Sequence, residues 1–78
     1  MSVDIPSLVQ LTEAKGIPLE QLIQAIEAAV LTAYNETPEP NRYARVQLDR
    51  ETGVINIYVP TFNELGERIS EDILEVEG

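Results

Sequence analysis

The stretch Gly16–Tyr34, GIPLEQLIQAIEAAVLTAY, constrains this chain more than any other. Leu19, Leu22, Ile23, Ile26, Ala29, Val30, Ala33 and Tyr34 recur at i, i+3, i+4 and i+7 spacing. At about 100° per residue they make one broad apolar face on a helix. Pro18 suits an opening turn, whose N–H groups have no partner inside the helix. Glu20 sets a negative charge against the positive end of the helix dipole. Ala, Leu, Gln and Glu fill the interior, and all are strong helix formers. Such a face must be buried against something, so the rest of the chain has to supply a second layer.

Ahead of it, Asp4 and Pro6 mark a helix entry, and Ile5, Leu8, Val9 and Leu11 offer a shorter apolar face. Lys15 and Gly16 supply a cation and a left-handed stop. After Tyr34, the run Asn35-Glu36-Thr37-Pro38-Glu39-Pro40-Asn41 is polar and twice interrupted by proline, which makes it a loop. Tyr43 to Asp49 alternates, with Ala44, Val46 and Leu48 on one side. Val54 to Val59 alternates too, with Ile55, Ile57 and Val59 together. Asp49-Arg50-Glu51-Thr52-Gly53 joins the two as a hairpin, Gly53 suiting a positive φ. Pro60 removes a ladder donor and should end the second strand or mark an edge. Asn63-Glu64-Leu65-Gly66 is a second turn. Beyond it the pattern fits two structures equally, a third strand or a helix capped near Ser70-Glu71-Asp72.

The remaining chemistry is sparse. Five basic and fourteen acidic residues give a net charge of −9, which opposes approach to nucleic acid and to anionic membranes. With no cysteine and no histidine there is no thiolate, no disulfide and no imidazole base. The serines therefore lack an activating partner. Glu71 with Asp72, and Asp49 with Glu51, are the carboxylate pairs, and neither lies where a sheltering cleft is expected. No metal-loop spacing and no Gly-rich phosphate loop occurs. No catalytic residue, metal ligand or cofactor is expected. No apolar run is long enough for a membrane span and no secretory leader is visible, so a soluble, cytoplasmic protein is expected.

Several segments together resemble the N-terminal domain of the bacterial transcription elongation and termination factor NusA. They are the opening short helix, Gly16-Ile17-Pro18-Leu19-Glu20, the helix end Glu27-Ala28-Ala29-Val30-Leu31-Thr32-Ala33-Tyr34, and the hairpin Ala44 to Val54. The likeness runs from Val3 to about Val59, and the tail with its Glu-Leu-Gly-Glu turn is most similar to the high-GC Gram-positive members. The resemblance implies a domain that docks on RNA polymerase at the β-subunit flap, near the RNA exit channel. That family acts in pausing, termination and antitermination. The S1 and KH modules that bind RNA in this family are absent, as are the helices that complete the N-terminal domain. Residues 1–78 are thus expected to be the head portion of that domain rather than a whole natural protein. Some members carry lysines at the end of the long helix, facing nascent RNA. Here the matching positions are Asn35, Glu36 and Thr37, which lack that charge, so nascent RNA is expected to be reached only indirectly.

The expected fold is α+β, with two N-terminal helices packed on a small antiparallel sheet of two or three strands. Leu22, Ile23, Ile26 and Val30 should meet Val46, Leu48, Ile55 and Ile57. Leu31 falls off the apolar stripe among Glu20, Gln24 and Glu27, so it should be exposed, and Glu27 with Leu31 is the candidate polymerase-binding surface. The alternative to polymerase binding is a stand-alone acidic interaction module, one that mimics nucleic acid by its charge.

Overall fold

The computed structural model describes residues 1–76. Helices α1 (Ile5–Lys15) and α2 (Leu19–Asn35) are followed by strands β1 (Arg45–Leu48), β2 (Ile55–Phe62) and β3 (Arg68–Glu75). The strands form one antiparallel sheet in the order β1-β2-β3. The helices pack on one face of it, giving the expected α+β architecture with three strands.

Gly16 ends α1 in the left-handed region at φ 69°, and its N–H donates to the Thr12 carbonyl. At the other end the Asp4 carboxylate does not cap the helix; it accepts the Ser7 hydroxyl at 2.7 Å instead. The apolar face of α1 also differs from expectation. Leu11 is 45% exposed, whereas Thr12 is buried and its hydroxyl donates to the Val9 carbonyl at 2.8 Å. Ile5, Leu8, Val9 and Thr12 complete the i, i+3, i+4, i+7 set, and Leu11 lies about 120° away from it.

At the centre, Ile23 of α2 meets Leu48 of β1 and Ile55 of β2, all with no exposed surface. Leu19, Ile26, Val30 and Val46 close around them half-buried, and Ile57 is buried beside them. Leu22 is only half-buried. It stands about 100° round the helix from Ile23, at the margin of the buried face.

Pro60 does not end β2, which continues to Phe62. Ile55 donates to the Met1 carbonyl and accepts from the Val76 N–H, so odd-numbered β2 residues bond toward β3. Even-numbered ones, Pro60 among them, bond toward β1, and β1 pairs no further along than Tyr58. The missing N–H of Pro60 thus falls where no ladder partner exists. Its carbonyl on that side accepts from Asn41 Nδ2 at 2.8 Å. The undecided tail is a strand, paired with β2 from Asn56↔Glu75 to Phe62↔Arg68 with an irregularity at Thr61/Phe62. Asn63 Oδ1 orders the connecting turn by accepting from the N–H groups of Leu65 and Glu67.

Residues 1–3 add a short piece of strand that nothing in their sequence announces. Ser2 bridges to Val54, Val3 N–H donates to the Gly53 carbonyl at 2.8 Å, and Ile55 N–H donates to the Met1 carbonyl at 3.1 Å. They continue the line of β3 along β2. Strands β2 and β3 both outrun β1, and the molecule measures 50 × 23 × 21 Å. Its radius of gyration, 14.7 Å, exceeds the roughly 11.5 Å of a compact domain of this length.

Candidate functional site

Two flanks of α2 are candidates for recognition, and the fold uses them differently. On the β1 side, the Glu27 carboxylate accepts the Leu48 N–H at 2.9 Å. Leu48 faces its N–H away from β2, because Asp49 is the neighbour that bonds inward to Val54. Glu27 therefore takes up one outward donor at the open edge of β1. About two turns earlier, Glu20 binds Arg50 of the hairpin through both carboxylate oxygens, with Nε–Oε2 at 2.9 Å. This holds the Glu20 carboxyl below its ordinary range. Both groups are exposed, so the pair fixes geometry more than it adds stability. Asp49 is also held low, by the N–H groups of Thr52 and Glu51 that its Oδ1 accepts in the turn.

Leu31 corrects the expectation of an exposed leucine, since it is half-buried. Eight positions after Ile23, it lies about 80° round the helix on the same flank as Glu27. That flank carries acids, yet the Glu20–Arg50 and Glu27–Leu48 contacts draw it onto β1 and its turn. A carboxylate bonding to a strand edge leaves no periodic signal, so the sequence pattern gave Glu27 and Leu31 a solvent face.

Replacing Glu27 with Ala should cost about 1–3 kcal/mol, because a partly buried N–H loses its acceptor. Gln, which keeps a carbonyl oxygen, should cost less. Denaturant unfolding combined with hydrogen exchange at the Leu48 amide checks this. Unchanged protection of that amide in the Ala variant would contradict the assigned role.

On the β3 side, α2 and the sheet leave an open apolar groove of about 480 Å³. Ala29, Val30, Ala33 and Tyr34 form one wall, Ile57 and Val76 the other, with Met1 and Thr37 at the ends. The groove exists because β3 is covered by neither helix, while Ala29 and Ala33 are too small to fill the gap. Its helix wall was legible as an apolar stripe; its emptiness was not. At its mouth Tyr34 is fixed by Asn41, whose N–H donates to the phenol oxygen at 2.9 Å. Asn41 also accepts the Tyr43 N–H and donates to Pro60, tying the loop to helix and sheet. The sequence presented it only as a loop residue.

Asn35, Glu36 and Thr37 are exposed at the α2 C-terminus. Thr37 turns back on the helix, its hydroxyl donating to the Tyr34 carbonyl at 2.6 Å. The last helical turn holds no basic residue. A helix C-terminus carries partial negative charge, and Glu36 adds to it, so this end is unfavourable to phosphate.

The candidate carboxylate pairs are not convergent. Glu71 is bound to Arg45 at 3.1 Å and to Arg68 at 3.5 Å on the helix-free face, and Asp72 points to the other face. Among the described residues no three His, Cys, Asp or Glu side chains gather where they could hold a metal ion. Among them too, no helix is long and apolar enough to cross a membrane.

Comparison with known proteins gives a consistent result. A family described as "NusA N-terminal domain" matches residues 5–75. The "Transcription termination/antitermination protein NusA" of Mycobacterium tuberculosis (strain H37Rv) is 35% identical over 71 residues, 91% of this chain and 20% of the relative. The protein of the same name from Bacillus subtilis (strain 168) is 41% identical over 54 residues, 69% of this chain and 15% of the relative. That of Halalkalibacterium halodurans is 33% identical over 70 residues, 90% and 18%. The chain thus spans about a fifth of the length of the curated relatives it matches. No solved structure matches it. The matched residues run from the first turn of α1 to the end of β3, taking in both helices, the sheet and the groove lining except Met1 and Val76. On that extent, the chain belongs to the NusA N-terminal domain family.

Proposed function

We propose that this chain is the RNA polymerase-binding portion of a transcription termination/antitermination factor and docks on the flap of the polymerase β subunit. The supporting observation is the apolar groove between α2 and the sheet, in a domain whose family membership spans nearly the whole chain. A short amphipathic helix laid into such a groove buries its apolar side at i, i+3 and i+4 positions. The small side chains of Ala29 and Ala33 let a helix approach closely. The activity is binding rather than catalysis, takes place in the cytoplasm and needs no cofactor. Nascent RNA is reached through modules outside this chain, because the α2 C-terminus with Asn35, Glu36 and Thr37 offers phosphate no cation.

Glu27 and Leu31 take a lesser part in this reading than the groove, since both are engaged within the fold. The test is titration of the labelled domain with polymerase and with a flap-tip helix peptide. Amide shifts should centre on Ala29, Ala33 and Ile57. Ala33→Arg should weaken binding at least tenfold without lowering the unfolding midpoint, since Ala33 is exposed. Shifts centred on Leu31 instead would move the contact to the β1 flank. Undiminished binding to polymerase lacking its flap would remove the proposed partner.

A further inference from the structure

The two edges of the sheet are finished differently. β1 is short, and the outward N–H of Leu48 is taken by Glu27. β3 is eight residues long and contains no proline, and what guards it against a like edge is charge, carried by Arg68, Glu71, Asp72 and Glu75. Val76 bonds inward to Ile55, so the alternation turns the N–H and C=O groups of Glu71, Ile73 and Glu75 outward. Among the described residues nothing pairs with them. The side chains along this edge are uncovered as well: Ile73 is 60% exposed and Leu74 46%. Successive residues of a strand face opposite sides, so Ile73 offers apolar surface on the helix-free face and Leu74 on the helix-bearing face.

Charge decides what can pair here. Asp72-Ile73-Leu74-Glu75 reads acid, apolar, apolar, acid. Glu71 already binds Arg45 and Arg68, whereas Asp72 and Glu75 have no cation within ion-pairing distance among the described residues. Cross-strand neighbours of opposite charge are favourable and like charges are not. A second copy of this chain is therefore a poor occupant, because outward-bonding residues can face only one another, and the register that brings Ile73 opposite Ile73 also sets Glu71 against Glu75.

We propose that the β3 edge binds an extended basic polypeptide segment, adding it as a fourth, antiparallel strand. The segment reads cation, apolar, apolar, cation against Glu75, Leu74, Ile73 and Asp72. Main-chain bonds to Glu71, Ile73 and Glu75 hold it, and the paired side chains on both faces select it. The edge lies in the plane of the sheet, whereas the groove lies between α2 and the sheet's inner face. The two contacts are independent, and polymerase binding is not needed for this one.

The test uses the 78-residue chain and a capped peptide with Lys-Val-Val-Lys at its centre and threonines on either side. Binding should slow hydrogen exchange at the Glu71, Ile73 and Glu75 amides, leave Leu74 unchanged, and weaken as salt is added. The double variant Asp72→Lys, Glu75→Lys alters only exposed side chains. It should lose at least tenfold in affinity for this peptide and gain affinity for the Glu-Val-Val-Glu counterpart. Ala33→Arg should leave peptide binding intact, which separates this edge from the groove. Absence of binding, equal binding of both peptides to the unaltered chain, or shifts confined to Ala29 and Ala33 would each overturn the proposal. So would protection of the same amides in peptide-free protein that rises with its concentration, which would make the occupant a second copy.

Discussion

Ile23→Ala should lower the free energy of unfolding by about 2–5 kcal/mol, the range for removing a fully buried large aliphatic side chain. Ile23 has no exposed surface and is the one α2 residue in the three-residue centre with Leu48 and Ile55. The cavity left would sit between the two layers, and neither can close it alone. Helix α2 is pinned to the hairpin at Glu20–Arg50 and Glu27–Leu48, and the sheet is fixed by its own ladder. Small domains have a total stability of only about 5–15 kcal/mol, and a chain this short falls at the low end. The variant should therefore be partly unfolded at room temperature. Ile26→Ala is the internal comparison, because Ile26 is half-buried and should cost about half as much. Denaturant titrations of both variants give the ratio. Equal midpoints for Ile23→Ala and the unaltered chain would mean that the layers do not meet at Ile23.

What could be read in advance follows from how local each signal is. The α2 stripe and the β1–β2 alternation are periodic within a few residues, so the helix, the hairpin and the core pair of Leu48 and Ile55 were legible. Gly16 and Gly53 were legible as well, because a positive φ selects glycine at the point where it occurs. Other features depend on residues distant in sequence. Pro60 is tolerated in β2 only because β1 stops short of it. Residues 68–75 form a strand because β2 is there to pair with; in the sequence the alternation of Leu74 and Val76 with acids fitted a strand no better than Ser70-Glu71-Asp72 fitted a helix cap. Glu27 was read as a surface acid because the N–H it accepts lies 21 residues away. The groove arises from what is not covered, which no pattern within α2 or β2 records. On the site itself, the apolar wall of α2 was legible, but the choice of flank depended on where β1 lies and so was not.

The second large effect is expected at Gly53→Ala, and it bears on the strand formed by residues 1–3. Gly53 has φ 77°, which costs an L-residue roughly 1–2 kcal/mol. A Cβ built there would also overlap the Val3 carbonyl oxygen and stand 3.0 Å from its carbonyl carbon. These are backbone atoms, so no side chain can turn aside to make room. The first residues must then leave β2, losing the bonds from Val3 N–H to Gly53 and from Ile55 N–H to Met1. At about 0.5–1.5 kcal/mol for each bond, the total loss should be on the order of 2–5 kcal/mol. Gly66→Ala isolates the first contribution, since Gly66 has φ 81° and nothing within 4 Å of the added carbon. It should cost only the roughly 1–2 kcal/mol of backbone strain. In Gly53→Ala, but not in Gly66→Ala, the Val3 and Ile55 amides should lose their protection from hydrogen exchange. Met1 lines the groove, so release of this strand should also open the groove at one end. If the two glycine variants cost the same and the Ile55 amide stays protected in both, the first residues are not held by Gly53, and that end of the groove is bounded by something else.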